Sequence, residues 1–220
     1  MIFGAAGAAH TADPGTLIVD MSSIDPKATR ALAARADSLG LRWVDCPLSG
    51  GAGKALSGNL TLMAGGTAQD VGDTRRILAA LHANLTHMGP VGAGQTTKLI
   101  NQVLCGIGFV AVAEATRIAM DAGVDPLMLP QALRGGRADS AILQEYMPRF
   151  ARPDAIRTGR IDNMVKDLAA AFALAHETAT PTPITEISAV IHRRLSEQGL
   201  GAEDEIALMQ FFTGPDSRPE

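Results

Sequence analysis

The chain has 220 residues, 46% hydrophobic, 19% charged and 4% aromatic, with a net charge of −4. That length fits one large domain or two small ones, and the scattered Lys and Arg exclude a clustered nucleic-acid surface. No apolar run is read as approaching the ~18 residues of a membrane helix, and no signal peptide is read at the start. The two cysteines, Cys46 and Cys105, are too few for a disulfide framework and lack ligand-spaced neighbours for a metal. They are expected as free thiols in a reducing cytoplasm.

The first hundred residues alternate strand-like and helix-like segments. Residues 15–21 follow a Pro-Gly turn as a β-branched apolar run, read as a buried parallel strand. Ser22, Ser23 and Asp25 offer N-cap oxygens, Pro26 suits a first helical turn, and 27–39 reads as a helix stopped by Gly40. Further strands are expected at 41–47, 59–64 and 85–88, with a helix over 70–82. From 96 to 122 there is no proline, which predicts one long helix, apolar on most sides. Helices follow at 125–133, 141–147, 162–177, 183–198 and 202–212, and the polar tail from 213 is expected to fray. The pattern divides into an α/β part (1–95) and an all-helical part (96–220). No G-x-G-x-x-G occurs, although a dinucleotide-binding domain opens on such a strand-turn-helix.

Three segments carry candidate chemistry. Lys98, Asn101, Gln102 and Cys105 stand at i, i+3, i+4 and i+7, one face of a helix. A lone lysine beside two amides can hold a substrate oxygen and exchange a proton with it, and partial burial brings a lysine toward the working range. The alternative is a lysine snorkelling out of the first turn. Ser49, Gly50 and Gly51 end a strand, where backbone N–H groups can converge on a carboxylate or phosphate; the alternative is an ordinary glycine turn. Ser22 and Ser23 also follow a strand end, as ligand contacts or as caps. Lys166-Asp167 reads as a solvated, non-pairing i,i+1 couple. The five histidines form no constellation and read as surface or loop residues.

Taken together, VDMSSIDP (19–26), DCPLSGGAGKALSGNLTLMAGG (45–66), GPVGAGQTTKLINQ (89–102) and DNMVKDLAAAF (162–172) resemble the β-hydroxyacid dehydrogenase family, in its order and along essentially the whole chain. The resemblance implies the C-terminal part of a Rossmann-like NAD(P)-binding domain, then a long helix and a helical substrate and oligomerisation domain. It implies Lys98 as the catalytic proton carrier, with Ser49, Gly50, Gly51, Asn101 and Gln102 binding substrate. Ser23 and Lys166 would contact NAD or NADP. Many members have Asn where Gln102 stands. The substrate would be a small 3-hydroxy acid or semialdehyde carboxylate, such as 3-hydroxyisobutyrate or tartronate semialdehyde, and the assembly a homodimer or homotetramer.

Family members begin with the glycine-rich turn, so about 70 residues of βαβ units are read as missing. The expectation is a chain that binds dinucleotide poorly or not at all. A non-catalytic oligomerisation fragment is the alternative reading. Imine reductases generally lack a lysine at the position of Lys98, and phosphogluconate dehydrogenase has a longer helical domain.

Overall fold

The computed structural model describes residues 2–4 and 6–213; most of the expected tail, 214–220, lies outside the described residues. The chain divides into two compact units, one ending at Ile100 and the other beginning at Asn101.

The first unit holds β1 (Leu17–Asp20), α1 (Pro26–Asp37), β2 (Arg42–Asp45), β3 (Leu48–Ser49), α2 (Gly51–Leu56), β4 (Leu60–Gly65), α3 (Ala68–Ile77) and β5 (His82–Gly89). β1 and β2 pair in parallel from Leu17↔Arg42 to Asp20↔Asp45. β4 and β5 are also parallel, while β4 meets β2 and β3 antiparallel, so the sheet is mixed. The α1 start follows the expected chemistry: the Asp25 carboxylate accepts from the N–H groups of Lys27 and Ala28 at 2.7 and 3.0 Å. At α3, the Asp70 N–H donates to the Thr67 hydroxyl, which donates in turn to the Asp70 carboxylate.

The elements depart from expectation in three places. α3 ends at Ile77 and β5 begins at His82, because parallel pairing with β4 starts at Leu60↔His82 and draws that residue out of the helix. α2 was not foreseen, since GAGKAL carries two glycines and a poor helical pattern. The expected strand over 41–47 is broken after Asp45 and resumes at Leu48 as β3.

α4 (Ala93–Asp121) is a single 29-residue helix. It is long and apolar enough, at a mean hydropathy of 1.7 over 18 residues, to cross a membrane by length and composition, which corrects the expectation of no such run. Its buried residues Val110, Val112 and Ala113 pack within a protein core, the alternative that the same composition allows. The second unit adds α5 (Leu129–Ala132), α6 (Ala141–Ala151), α7 (Ile161–Glu177), α8 (Pro183–Leu195) and α9 (Met209–Phe212). Leu143, Met147 and Phe150 of α6, Ile161 of α7, and Ile191 and Leu195 of α8 build its main core with α4. Gly106 lets α7 approach closely, because a Cβ there would lie 3.1 Å from Met164 Sδ and 3.3 Å from Leu168. α8 stops short of the expected 198, where the chain leaves the helix through Gly199 at φ +88°. The helix expected over 202–212 splits into a 3₁₀ turn, Glu205–Leu208, capped by Asp204, and α9.

Candidate active site

In the α/β unit, the carboxyl end of β2 carries a buried carboxylate. Asp45 Oδ1 accepts from the Gly92 N–H at 2.7 Å and Oδ2 from the Gln95 N–H at 2.9 Å. Gly92 immediately precedes α4 and Gln95 lies in its first turn, so Asp45 fastens the start of the helix to the sheet. Burial pushes the Asp45 carboxyl up from its ordinary range, against the two N–H groups that favour its charge. Gly94 permits the approach: a Cβ there would lie 2.4 Å from the Met63 carbonyl oxygen and 2.6 Å from that of Asp45. Beside it, burial pushes the Cys46 thiol up to about 12.

Gln95 is 1% exposed. Its Nε2 donates to the Ser22 carbonyl at 2.7 Å and its Oε1 accepts from the Ile24 N–H at 3.2 Å. One amide thus grips both sides of Ser23, at the carboxyl end of β1, where open α/β sheets bind ligands. Lys98, half-buried, follows Gln95 by three residues on α4. Ser49 ends β3, paired with Thr61. Gly50 and Gly51, at φ +130° and +68°, turn the chain into α2, a conformation that disfavours side chains.

In the helical unit, Asn101 Nδ2 donates to Gln102 Oε1 at 2.9 Å and lies 3.5 Å from Cys105 Sγ. Gln102 Nε2 donates to Asp167 Oδ2 at 2.6 Å. Lys166 Nζ lies 3.1 Å from Asp167 Oδ1. This corrects the reading of Lys166-Asp167 as a non-pairing, solvated couple: Asp167 is 7% exposed, and the long lysine arm folds back onto it. The histidines need correction too. His192 is fully buried, with Nδ1–H on the Ser188 carbonyl at 2.8 Å and Nε2 at 3.1 Å from Glu205 Oε2. Its partner lies 13 residues on, across a kink that no helical spacing anticipates.

Sequence reasoning missed Asp45, Gln95 and Asp167. A charged residue closing the buried run RWVD was a usable signal for Asp45. Gln95 gave none beyond its place before an apolar helix. Asp167 stood in a quoted block but was judged by its neighbour alone. Among the described residues, no cluster of His, Cys, Asp and Glu could hold a metal.

Residues 92–212 match the family model described as the NAD-binding domain of NADP-dependent 3-hydroxyisobutyrate dehydrogenase, and residues 1–89 match the NAD-binding domain of 6-phosphogluconate dehydrogenase. The chain belongs to the β-hydroxyacid dehydrogenase family and is an NAD(P)-dependent oxidoreductase of that class. It is 32% identical over 215 residues to L-threonate dehydrogenase of Cupriavidus necator, covering 97% of this chain and 72% of that one. It is 31% identical to the mitochondrial 3-hydroxyisobutyrate dehydrogenase of Rattus norvegicus, covering 95% of this chain and 64% of that one. Its fold is similar to that of 3-hydroxyisobutyrate dehydrogenase from Salmonella typhimurium, with a TM-score of 0.85, 30% identity, and coverage of 94% and 73%.

The described residues at the carboxyl end of β1 fit a dinucleotide of the kind the family models bind. A hydroxyl loop stands at the carboxyl end of a parallel strand, and a buried amide holds its backbone in place.

Proposed function

We propose that the chain interconverts a small 3-hydroxy acid with its carbonyl form, the substrate being of the 3-hydroxyisobutyrate or tartronate semialdehyde type. The observation that carries this reading is the double clamp by Asp45 and Gln95. It fixes the turn that leads to Lys98 and the loop that bears Ser23 against the same strand ends.

Bound NAD or NADP supplies the hydride acceptor or donor. Lys98 Nζ takes the hydroxyl proton during oxidation and returns it to the carbonyl oxygen during reduction. Ser49, Gly50 and Gly51 hold the substrate carboxylate through hydroxyl and backbone N–H groups. Asn101 and Gln102 orient the substrate oxygen, and Ser23 and Lys166 contact the cofactor. Similarity to enzymes named for L-threonate and for 3-hydroxyisobutyrate supports a hydroxylated carboxylate as substrate.

The test is turnover of 3-hydroxyisobutyrate, L-threonate and tartronate semialdehyde with each cofactor, beside calorimetric titration with NADH and NADPH. Lys98→Ala is expected to lower kcat by about 10³-fold, within the range of general acid–base catalysis, and to leave cofactor affinity unchanged. Near-normal turnover in Lys98→Ala overturns its role. Absence of turnover with every substrate and both cofactors overturns the substrate class.

We further propose a homodimer or homotetramer, acting in the cytoplasm, with neither nucleic acid nor membrane as partner. Ile118 of α4 and Ile184 and Ile187 of α8 are all more than half exposed and line a groove of about 270 Å³ between these helices. Contiguous exposed apolar surface of this kind marks protein–protein contact. Sedimentation of Ile187→Lys as a smaller species than the unaltered chain is the expected outcome.

A further inference from the structure

Asp167 plays no part in the reaction described above, yet it is a buried carboxylate at the head of a one-directional chain of hydrogen bonds. Its Oδ1 faces the Lys166 ammonium and its Oδ2 receives Gln102 Nε2 at 2.6 Å. An ionised carboxylate accepts and cannot donate. Gln102 must therefore present its NH₂ to Asp167, which turns its carbonyl oxygen toward Asn101. Asn101 must then present its own NH₂, which donates to Gln102 Oε1 at 2.9 Å and lies 3.5 Å from Cys105 Sγ. With Nδ2 turned to those two groups, Asn101 offers a newcomer its carbonyl oxygen. This order follows from the chemistry of the carboxylate, so it does not depend on distinguishing oxygen from nitrogen in either amide.

We infer that Asp167 is a positioning residue that sets the polarity of the amide pair, so that Asn101 offers an acceptor to the substrate. The inference rests on the proposed substrate role of Asn101 and Gln102. An acceptor at Asn101 Oδ1 favours a ligand that brings a hydroxyl. The reacting hydroxyl gives its single proton to Lys98, so a hydrogen bond to Asn101 needs a second hydroxyl, which a polyhydroxy acid such as L-threonate brings and 3-hydroxyisobutyrate lacks. The relay thus biases binding toward polyhydroxy acids.

Two readouts on the whole chain test this. The first is the side-chain amide ¹⁵N–¹H spectrum, without ligand. In Asp167→Leu the Gln102 and Asn101 NH₂ signals are expected to move together. In Asp167→Asn, whose amide oxygen still accepts, both should stay near their original positions. The second is kinetic. Asp167→Leu should raise KM for L-threonate by about tenfold, the size of one oriented hydrogen bond, with kcat within about threefold. KM for 3-hydroxyisobutyrate should change by less than about twofold, and Asp167→Asn should restore the L-threonate KM. An Asn101 signal that stays fixed while Gln102 moves overturns the relay, as does an equal KM rise for both substrates. If Asp167→Leu does not fold, Asp167→Ala reads the same signals. If the unaltered chain turns over no hydroxy acid, the proposed function fails, while the amide spectrum still decides the relay.

Discussion

The two units hold their buried charges in different ways. In the α/β unit, Asp45 answers to the main chain: both of its oxygens take backbone N–H groups from the start of α4. In the helical unit, Asp167 and Glu205 answer to side chains, Gln102 with Lys166 and His192 respectively. Asp204 combines the two, taking Arg149 on one oxygen and the N–H groups of Thr158 and Gly159 on the other. A carboxylate bonded to N–H groups is fixed by the backbone path alone. One bonded to a side chain depends on a partner whose identity can change together with it, so the first kind tolerates fewer substitutions than the second.

Substitutions can break or sharpen that contrast. The largest effect is expected at Gly94, where Ala would place a Cβ 2.4 Å from a carbonyl oxygen. Lifting the start of α4 from Asp45 should cost more than about 4 kcal/mol, in the range reserved for overpacking with loss of buried bonds. Urea unfolding measures it, and a loss below about 1 kcal/mol would show that the turn can shift freely. Next comes Glu205→Leu. Removing one partner of a buried pair costs about 3–5 kcal/mol, whereas replacing both by apolar groups is often neutral. The double variant His192→Leu/Glu205→Leu should therefore recover most of the loss seen in thermal melts. Failure to recover would place the helical unit in the same class as Asp45.

A smaller effect concerns pH. Burial raises the Asp45 carboxyl in the folded chain above the ordinary 3.8. The fold thus prefers its protonated form, a preference fully present below the unfolded value and lost as pH rises through the folded one. In Asp45→Asn this dependence disappears. The stability difference between variant and parent should shift in favour of the variant as pH is raised from 4 to about 7. A flat difference would mean that the two N–H groups fully offset burial. Smallest in energy is a labelling experiment. With its thiol at about 12, Cys46 should resist iodoacetamide at about pH 8 until the chain unfolds, while the partly exposed Cys105 reacts first. Early loss of Cys46 would show that the strand end opens.

The same contrast explains what could be read from sequence. Strand ends and caps are local, so LIVD followed by SSIDP announced both β1 and the Asp25 cap of α1. The face of Lys98, Asn101 and Gln102 needed only the helical period. The bonds from Gln102 to Asp167 and from Gln95 to Ser22 span 65 and 73 residues, and no local pattern marks them. α2 escaped because a six-residue helix opened by two positive-φ glycines looks like a turn until Ser49 pairs with Thr61.

Gln95 also bears on the order of folding. β1 pairs with β2 across 25 residues, and β4 with β5 across about as few. The amide grip on Ser22 and Ile24 closes a loop of more than 70 residues. Loop-closure entropy places such a contact after the strand pairs that shorten its path. The segment bearing Ser23 therefore takes its final shape late, when α4 docks. A chain arrested before that step would carry a formed sheet with an unassembled ligand loop, exposed to proteases between Met21 and Asp25.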